Sequence, residues 1–132
     1  MTQDRALDIL KTGANVFLTG EPGAGKTYVI NKYVAWLEAA GLRVAVTAST
    51  GIAATHIGGM TIHSWSGIGI KNELSAYDLD QISGREKIVK RMKGAHVLVI
   101  DEISMLDGRT LDMVDQILRT VRATEQPFGG IQ

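Results

Sequence analysis

Two short stretches of the chain hold residue types whose spacing could do chemistry. In "GEPGAGKT", Gly20, Gly25, Lys26 and Thr27 satisfy G-x-x-x-x-G-K-[ST], with an apolar run before and a helical period after. In that pattern the backbone N–H groups of Gly23 to Lys26 converge on phosphate oxygens at a helix N-terminus, where the dipole also favours negative charge. Lys26 then neutralises β- and γ-phosphates, and the Thr27 hydroxyl binds Mg²⁺. In "VLVIDE", an apolar strand ends in Asp101 and Glu102 at the strand edge where open α/β sheets bind ligands. Asp101 suits a hard cation held through water, and Glu102 is set to orient and deprotonate an attacking water. Two carboxylates rather than one point to hydrolysis of a triphosphate rather than binding alone.

The elements that must position these groups read as an alternation of strands and helices. Residues from about Gln3 to Lys11 have helical spacing and stop near Thr12-Gly13. "NVFLT" (Asn15 to Thr19) reads as a strand feeding the glycine loop, followed by a helix with Val29, Ile30, Val34 and Leu37 on one side, up to Gly41. "RVAVTA" (Arg43 to Ala48) is a second strand, and a short helix capped by Ser49 or Thr50 follows. "HVLVI" (His96 to Ile100) is a third, apolar enough to be covered on both faces. A last helix, about Gly108 to Arg122, buries Leu111, Val114, Leu118 and Val121. The pattern predicts an α/β fold of βαβ units with a mostly parallel sheet. Residues 66–84 are the least periodic, and a small inserted subdomain, if there is one, occupies 66–93.

With 132 residues, 45% of them apolar, the chain has the size of one domain with one core. Lys plus Arg and Asp plus Glu balance at 14 each, so a polyanion has to be held by local sites rather than by bulk charge. The absence of cysteine excludes disulfides and thiolate metal sites. No apolar run approaches the length of a membrane span, and the chain reads as cytoplasmic, with no membrane partner. Arg85, Lys87, Lys90, Arg91 and Lys93 form the one basic cluster; on a helix they cannot share a face, so a solvated surface is expected. Trp65, beside Ile62 and Ile68, is expected in the core rather than stacked on a base.

Beyond these two motifs, "ASTGIAATHIGGMTIHSWSGIG" (Ala48 to Gly69), "DEISML" (Asp101 to Leu106) and "PFGGIQ" (Pro127 to Gln132) closely resemble successive motifs of the PIF-type DNA helicases of helicase superfamily one. "LDMVDQILRTVRATEQPFGGIQ" resembles that family's own signature segment, and the likeness covers essentially the whole chain. RecD-like helicases share a similar ATPase half and are the nearest competing family.

The resemblance implies a three-layer αβα P-loop fold of the RecA-like kind, with residues 1–132 forming part of the first helicase lobe. It implies ATP-driven 5′-to-3′ movement along single-stranded DNA with opening of duplex junctions, ATP and Mg²⁺ being the cofactors. It also implies the site residues. Gln3 matches the adenine-reading glutamine; Gly20, Gly23, Ala24, Gly25, Lys26, Thr27 and Tyr28 surround the nucleotide; Thr27 and Asp101 hold the metal; Lys26, Asp101 and Glu102 serve catalysis. Thr50, His63 and Ser64 match positions near the DNA track, where hydroxyls and an imidazole bond phosphates without reading sequence. In a bacterium the expected location is the nucleoid, in a eukaryote the nucleus or mitochondrion. The family pattern continues past "GGIQ" with an apolar strand and a second RecA-like lobe. On that reading the chain is truncated before the strand after Gln132, leaving inner edges of "NVFLT" and "HVLVI" unpaired at about 1–3 kcal/mol per orphaned group. Feeble ATPase activity and no strand separation are then expected of it alone. The alternative from another class is a stand-alone P-loop nucleotide-binding module or ATPase switch without helicase activity.

Overall fold

The computed structural model describes residues 1–20 and 25–132, which divide into two compact units: Met1–Val44 with Gln132, and Ala45–Ile131. In the first unit, helix α1 (Gln3–Lys11) starts where the Thr2 hydroxyl accepts the Arg5 N–H at 3.2 Å. This satisfies one of the four N–H groups a helix start leaves open. It buries Ala6 and Leu10 and packs against α2 (Lys26–Ala39), whose Val29, Tyr33 and Leu37 recur every four residues on the buried side. Burying the Tyr33 phenol pushes its pKa up, and its hydroxyl donates to Gln132 Oε1 at 2.6 Å. The same Gln132 amide donates to the carbonyls of Leu10 (2.9 Å) and Ala14 (2.8 Å). Its oxygen and its nitrogen are thus both satisfied, which makes it a staple between α2 and the end of α1.

Residues 15–19, expected as a strand, are not one: the segment has no ladder, and Val16 and Phe17 are exposed. An apolar run becomes a strand only when a neighbouring backbone takes its N–H and C=O groups. Among the described residues no strand does so here.

From Ala45 on, the second unit is built on a three-stranded sheet of β1 (Val44–Ala48), β2 (Met60–Thr61) and β3 (Val97–Asp101) in the order β2-β1-β3. β1 and β2 run parallel, with Thr47 opposite Met60 and Ala48 opposite Thr61, joined by the crossover helix α3 (Gly51–Ile57). α3 is capped by Thr50 rather than Ser49, the Thr50 hydroxyl accepting the Ala53 N–H at 3.2 Å. Then follow α4 (Ile62–Ser66), α5 (Ala76–Ser83), α6 (Glu86–Gly94) and α7 (Gly108–Val121).

One hydrophobic cluster joins Ile62 and Trp65 of α4, Ile82 of α5, Ile88 and Met92 of α6, and the buried side of α7. Trp65 therefore sits in the core, as expected from its apolar neighbours. The stretch 66–93 contributes a loop and then these two helices, whose apolar side chains share the cluster with α7. The buried side of α7 is Thr110, Met113, Val114, Ile117, Leu118 and Val121, with Leu111 only half-buried. The expected stripe lay partly on the adjacent row, because three- and four-residue spacings fit both rows. β3 is half-buried from Leu98 to Ile100 rather than covered on both faces, as its place at one end of the strand order dictates. Leu98 and Ile100 are the residues that pack on the cluster.

After α7 the chain folds back on it. The Asp115 carboxylate accepts the Phe128 N–H at 2.6 Å and the Arg119 Nε at 2.9 Å, and Arg122 Nε donates to the Gly129 carbonyl at 2.7 Å. Gly129 has φ +64°, and a Cβ there would lie 2.7 Å from the Leu118 carbonyl oxygen, so the return fits no larger residue. Ile131 beyond it is extended and buried.

Candidate nucleotide and DNA site

Of the residues expected at the phosphates, Gly23 and Ala24 lie outside the described residues, and Gly20, Gly25, Lys26, Thr27 and Tyr28 lie in the first unit. Lys26 is the first residue of α2, so the N–H groups that no helical carbonyl can take open at this point. Its Nζ donates to the Gly20 carbonyl at 2.5 Å and spans the two ends of the glycine loop. Gly25, just before the helix, has φ +91°. A Cβ built on it would meet Gln3 Nε2 at 2.0 Å, so the Gln3 amide rests on the bare Cα of the loop's last glycine. The structure thus brings Gln3, Gly20, Gly25 and Lys26 together. Thr27 is exposed, and Tyr28 is half-exposed with the Lys32 ammonium 5.0 Å from its ring centroid.

In the second unit, Asp101 closes β3 and Glu102 follows with φ 57° and ψ 43°. The Glu102 N–H donates to Asp101 Oδ1 at 3.0 Å. Its carbonyl accepts the Ser49 hydroxyl at 2.6 Å and the Met105 N–H at 3.0 Å, while its side chain is exposed. The Ser49 N–H also donates to the Asp101 carbonyl at 3.1 Å, and the Thr47 hydroxyl to the Val99 carbonyl at 2.7 Å. The end of β1 therefore grips the end of β3 through two hydroxyls as well as backbone. Ser49 was expected at most to cap α3. The available signal was its spacing of two from Thr47 at a strand end, which puts both hydroxyls on the same side.

Thr50, His63 and Ser64 lie in the same unit, Thr50 at the start of α3 and the other two on α4, on either side of β2 in the chain. Thr50 and His63 are half-exposed and Ser64 is exposed. The basic cluster on α6 behaves as a solvated face except at Arg91. Arg91 Nη1 donates to the carbonyls of Ser64 and Trp65, both at 3.3 Å, and so caps the end of α4. His63 also contributes to the positive field that, behind the Thr110 hydrogen bonds, holds the Asp107 carboxyl below its usual range.

The Thr27 hydroxyl in the first unit and the Asp101 carboxylate in the second are each oxygen donors, the kind Mg²⁺ prefers. That ion usually takes one or two carboxylates and completes its shell with water and phosphate. Among the described residues no group of three or more His, Asp or Glu could hold a metal with protein ligands alone. No helix among them is long and apolar enough to cross a membrane.

The parallel sheet with helices, and the solved structures it matches, define a P-loop α/β fold of the RecA-like kind. The crystal structure of Pif1 helicase from Candida albicans is 37% identical to this chain with a TM-score of 0.89, covering 98% of this chain and 30% of that one. Pif1 helicase from Bacteroides in complex with ADP-AlF3 and ssDNA is 35% identical with a TM-score of 0.80, covering 98% of this chain and 30% of that one. The family model described as PIF1-like helicase matches residues 3–132, and the chain belongs to that family. The ATP-dependent DNA helicase Pif1 of Psychrobacter sp. (strain PRwf-1) is 57% identical over 132 residues, which is 100% of this chain and 20% of the relative. The chain thus spans about a fifth of the length of that curated relative.

Proposed function

We propose that this chain carries nucleotide-binding and single-stranded DNA contacts of an ATP-dependent 5′-to-3′ DNA helicase, as part of its first RecA-like lobe. The observation that carries the proposal is the Gln3 amide seated on Gly25, one residue before Lys26. An amide able to pair with adenine and a lysine able to bind phosphate are two groups an ATP site can use, and both belong to the first unit here. The Bacteroides helicase solved with ADP-AlF3 and ssDNA supports the same pair of ligands.

On this reading Gln3 pairs with the polar edge of adenine, and the N–H groups at the start of α2 meet the phosphates with Lys26, whose ammonium leaves the Gly20 carbonyl to do so. Thr27 and Asp101 would each offer an oxygen to Mg²⁺, which when bound would neutralise charge on the phosphates. Glu102 orients the attacking water and takes its proton. Gly20, Gly23, Ala24 and Tyr28 complete the nucleotide's surroundings. Thr50, His63 and Ser64 bond DNA phosphates through groups that carry no sequence preference, as a translocating protein requires. A second RecA-like lobe is the partner that completes the motor.

The test is titration of the chain with Mg²⁺ and a fluorescent ATP analogue, against Lys26→Ala. Loss of the charged phosphate contact should weaken binding by about tenfold or more. Unchanged affinity would refute the phosphate-site assignment, and binding without any response of hydrolysis to single-stranded DNA, once the segment is placed in a full-length helicase, would favour a nucleotide switch.

A further inference from the structure

Glu102 keeps a left-handed backbone, φ 57° and ψ 43°, which a residue with a side chain holds only where its surroundings fix it. Three hydrogen bonds do so. Two are local: its N–H to Asp101 Oδ1 at 3.0 Å, and its carbonyl from the Met105 N–H at 3.0 Å. The third comes from another strand's end, the buried Ser49, whose hydroxyl donates to the Glu102 carbonyl at 2.6 Å. The Ser49 N–H takes the Asp101 carbonyl at 3.1 Å, so one residue holds both members of the acidic pair by their backbones. The Glu102 side chain meanwhile stays exposed. The residue after Ser49 is Thr50, whose hydroxyl accepts the Ala53 N–H at 3.2 Å and keeps its own proton available to a DNA phosphate.

We infer that Ser49 is a positioning residue that couples the DNA contact at Thr50 to the orientation of Glu102. The inference rests on the functional reading above. A phosphate drawing on Thr50 shifts the peptide shared by residues 49 and 50, and Ser49 passes that shift to the Glu102 carbonyl through one short bond. Hydrolysis then responds to the strand because the left-handed turn that aims the acid is pinned from the DNA side. Such a relay counts as coupling only if its removal changes the response of one site to the other's ligand.

The experiment uses the Psychrobacter helicase with its matching segment replaced by these 132 residues. ATP hydrolysis is measured with and without oligo-dT, together with the KM for ATP and the Kd for oligo-dT. Ser49→Ala should lower the ratio of stimulated to unstimulated kcat by about three- to tenfold, leaving KM and Kd within about twofold. Ser49→Thr, which keeps the hydroxyl, should restore the ratio. Ser49→Cys, a weaker donor of similar size, should give an intermediate ratio, and it decides the matter if the alanine variant unfolds. An unchanged ratio, a rise in KM without a change in ratio, or a threonine variant no better than alanine would overturn the inference. A parent chimera that binds nucleotide but shows no stimulation by oligo-dT refutes the functional reading itself, and does so before Ser49 is touched.

Discussion

At φ +91° the backbone of Gly25 lies where a residue with a Cβ pays roughly 1–2 kcal/mol, and the atom that Cβ would strike is the end of a flexible side chain, Gln3 Nε2. Gly25→Ala therefore has two separable consequences. The strain lowers the melting temperature, and the methyl group pushes the Gln3 amide out of place. If Gln3 reads adenine as proposed, it rejects guanine by leaving polar groups unpaired, and the displaced amide loses that discrimination. Competition between ATP and GTP for the chain should show Gly25→Ala and Gln3→Ala each reducing the ATP preference several-fold. The double variant should show no further loss, because residues that act as one unit are not additive. Additive losses would mean that Gln3 reads the base independently of Gly25.

Two helices of the second unit carry, at or just after their starts, aspartates whose ionised forms the fold favours. The Thr110 hydroxyl and N–H bond Asp107 at the start of α7, the N–H at 2.7 Å, and keep its carboxyl below its ordinary value, with Arg109 and His63 adding to the effect. The Ser75 N–H and hydroxyl do the same for Asp78 in the first turn of α5, helped by Lys71 at 3.7 Å. A carboxyl whose folded pKa is depressed stabilises the fold above its unfolded value, about 3.9, and this contribution is lost as pH falls through the folded value. Melting temperatures should hold from neutrality to about pH 5 and begin to decline below about pH 4. Asp107→Asn caps a helix about as well but does not titrate. Its melting temperature near neutrality should match the parent, and its acid decline should be shallower; superimposable declines would remove Asp107 from the account. Helices α1 and α7 were legible in the sequence because caps and periodicity are local. The two-residue β2 and the apolar but unladdered 15–19 were not, since strands are defined by distant partners. The same divide runs through the site. Lys26 and the Asp101-Glu102 pair were proposed from spacing alone, whereas the Ser49 bond depends on how the end of β1 lies beside the end of β3, and its spacing of two from Thr47 is only a weak local sign of it.

Taken whole, the chain balances 14 basic against 14 acidic residues, and its arginines are partly committed to its own backbone: Arg91 to the end of α4, Arg122 to Met92 and Gly129. A DNA track made of Thr50, His63 and Ser64 would therefore bind through neutral donors and release few counterions. For single strands the slope of log K against log salt is about −0.7 per phosphate neutralised by a cation. A track of hydroxyls and an imidazole, with Arg91 beside Ser64 as a nearby cation, predicts a slope shallower than about −1 in oligo-dT titrations at pH 8 between about 50 and 200 mM salt. The exposed side chains of Arg85, Lys87, Lys90 and Lys93 offer the contrasting geometry. Strands lying across them would give a slope near about −2.8, and charge-reversing Lys87 and Lys90 would then flatten it. A shallow slope that survives those reversals but an affinity that falls with Thr50→Ala or Ser64→Ala would assign the strand to the segment around β2. That outcome would also explain how a chain without net charge can belong to a DNA-acting family: the hold on the polyanion is short-ranged and directional, so it can be broken and remade at each step.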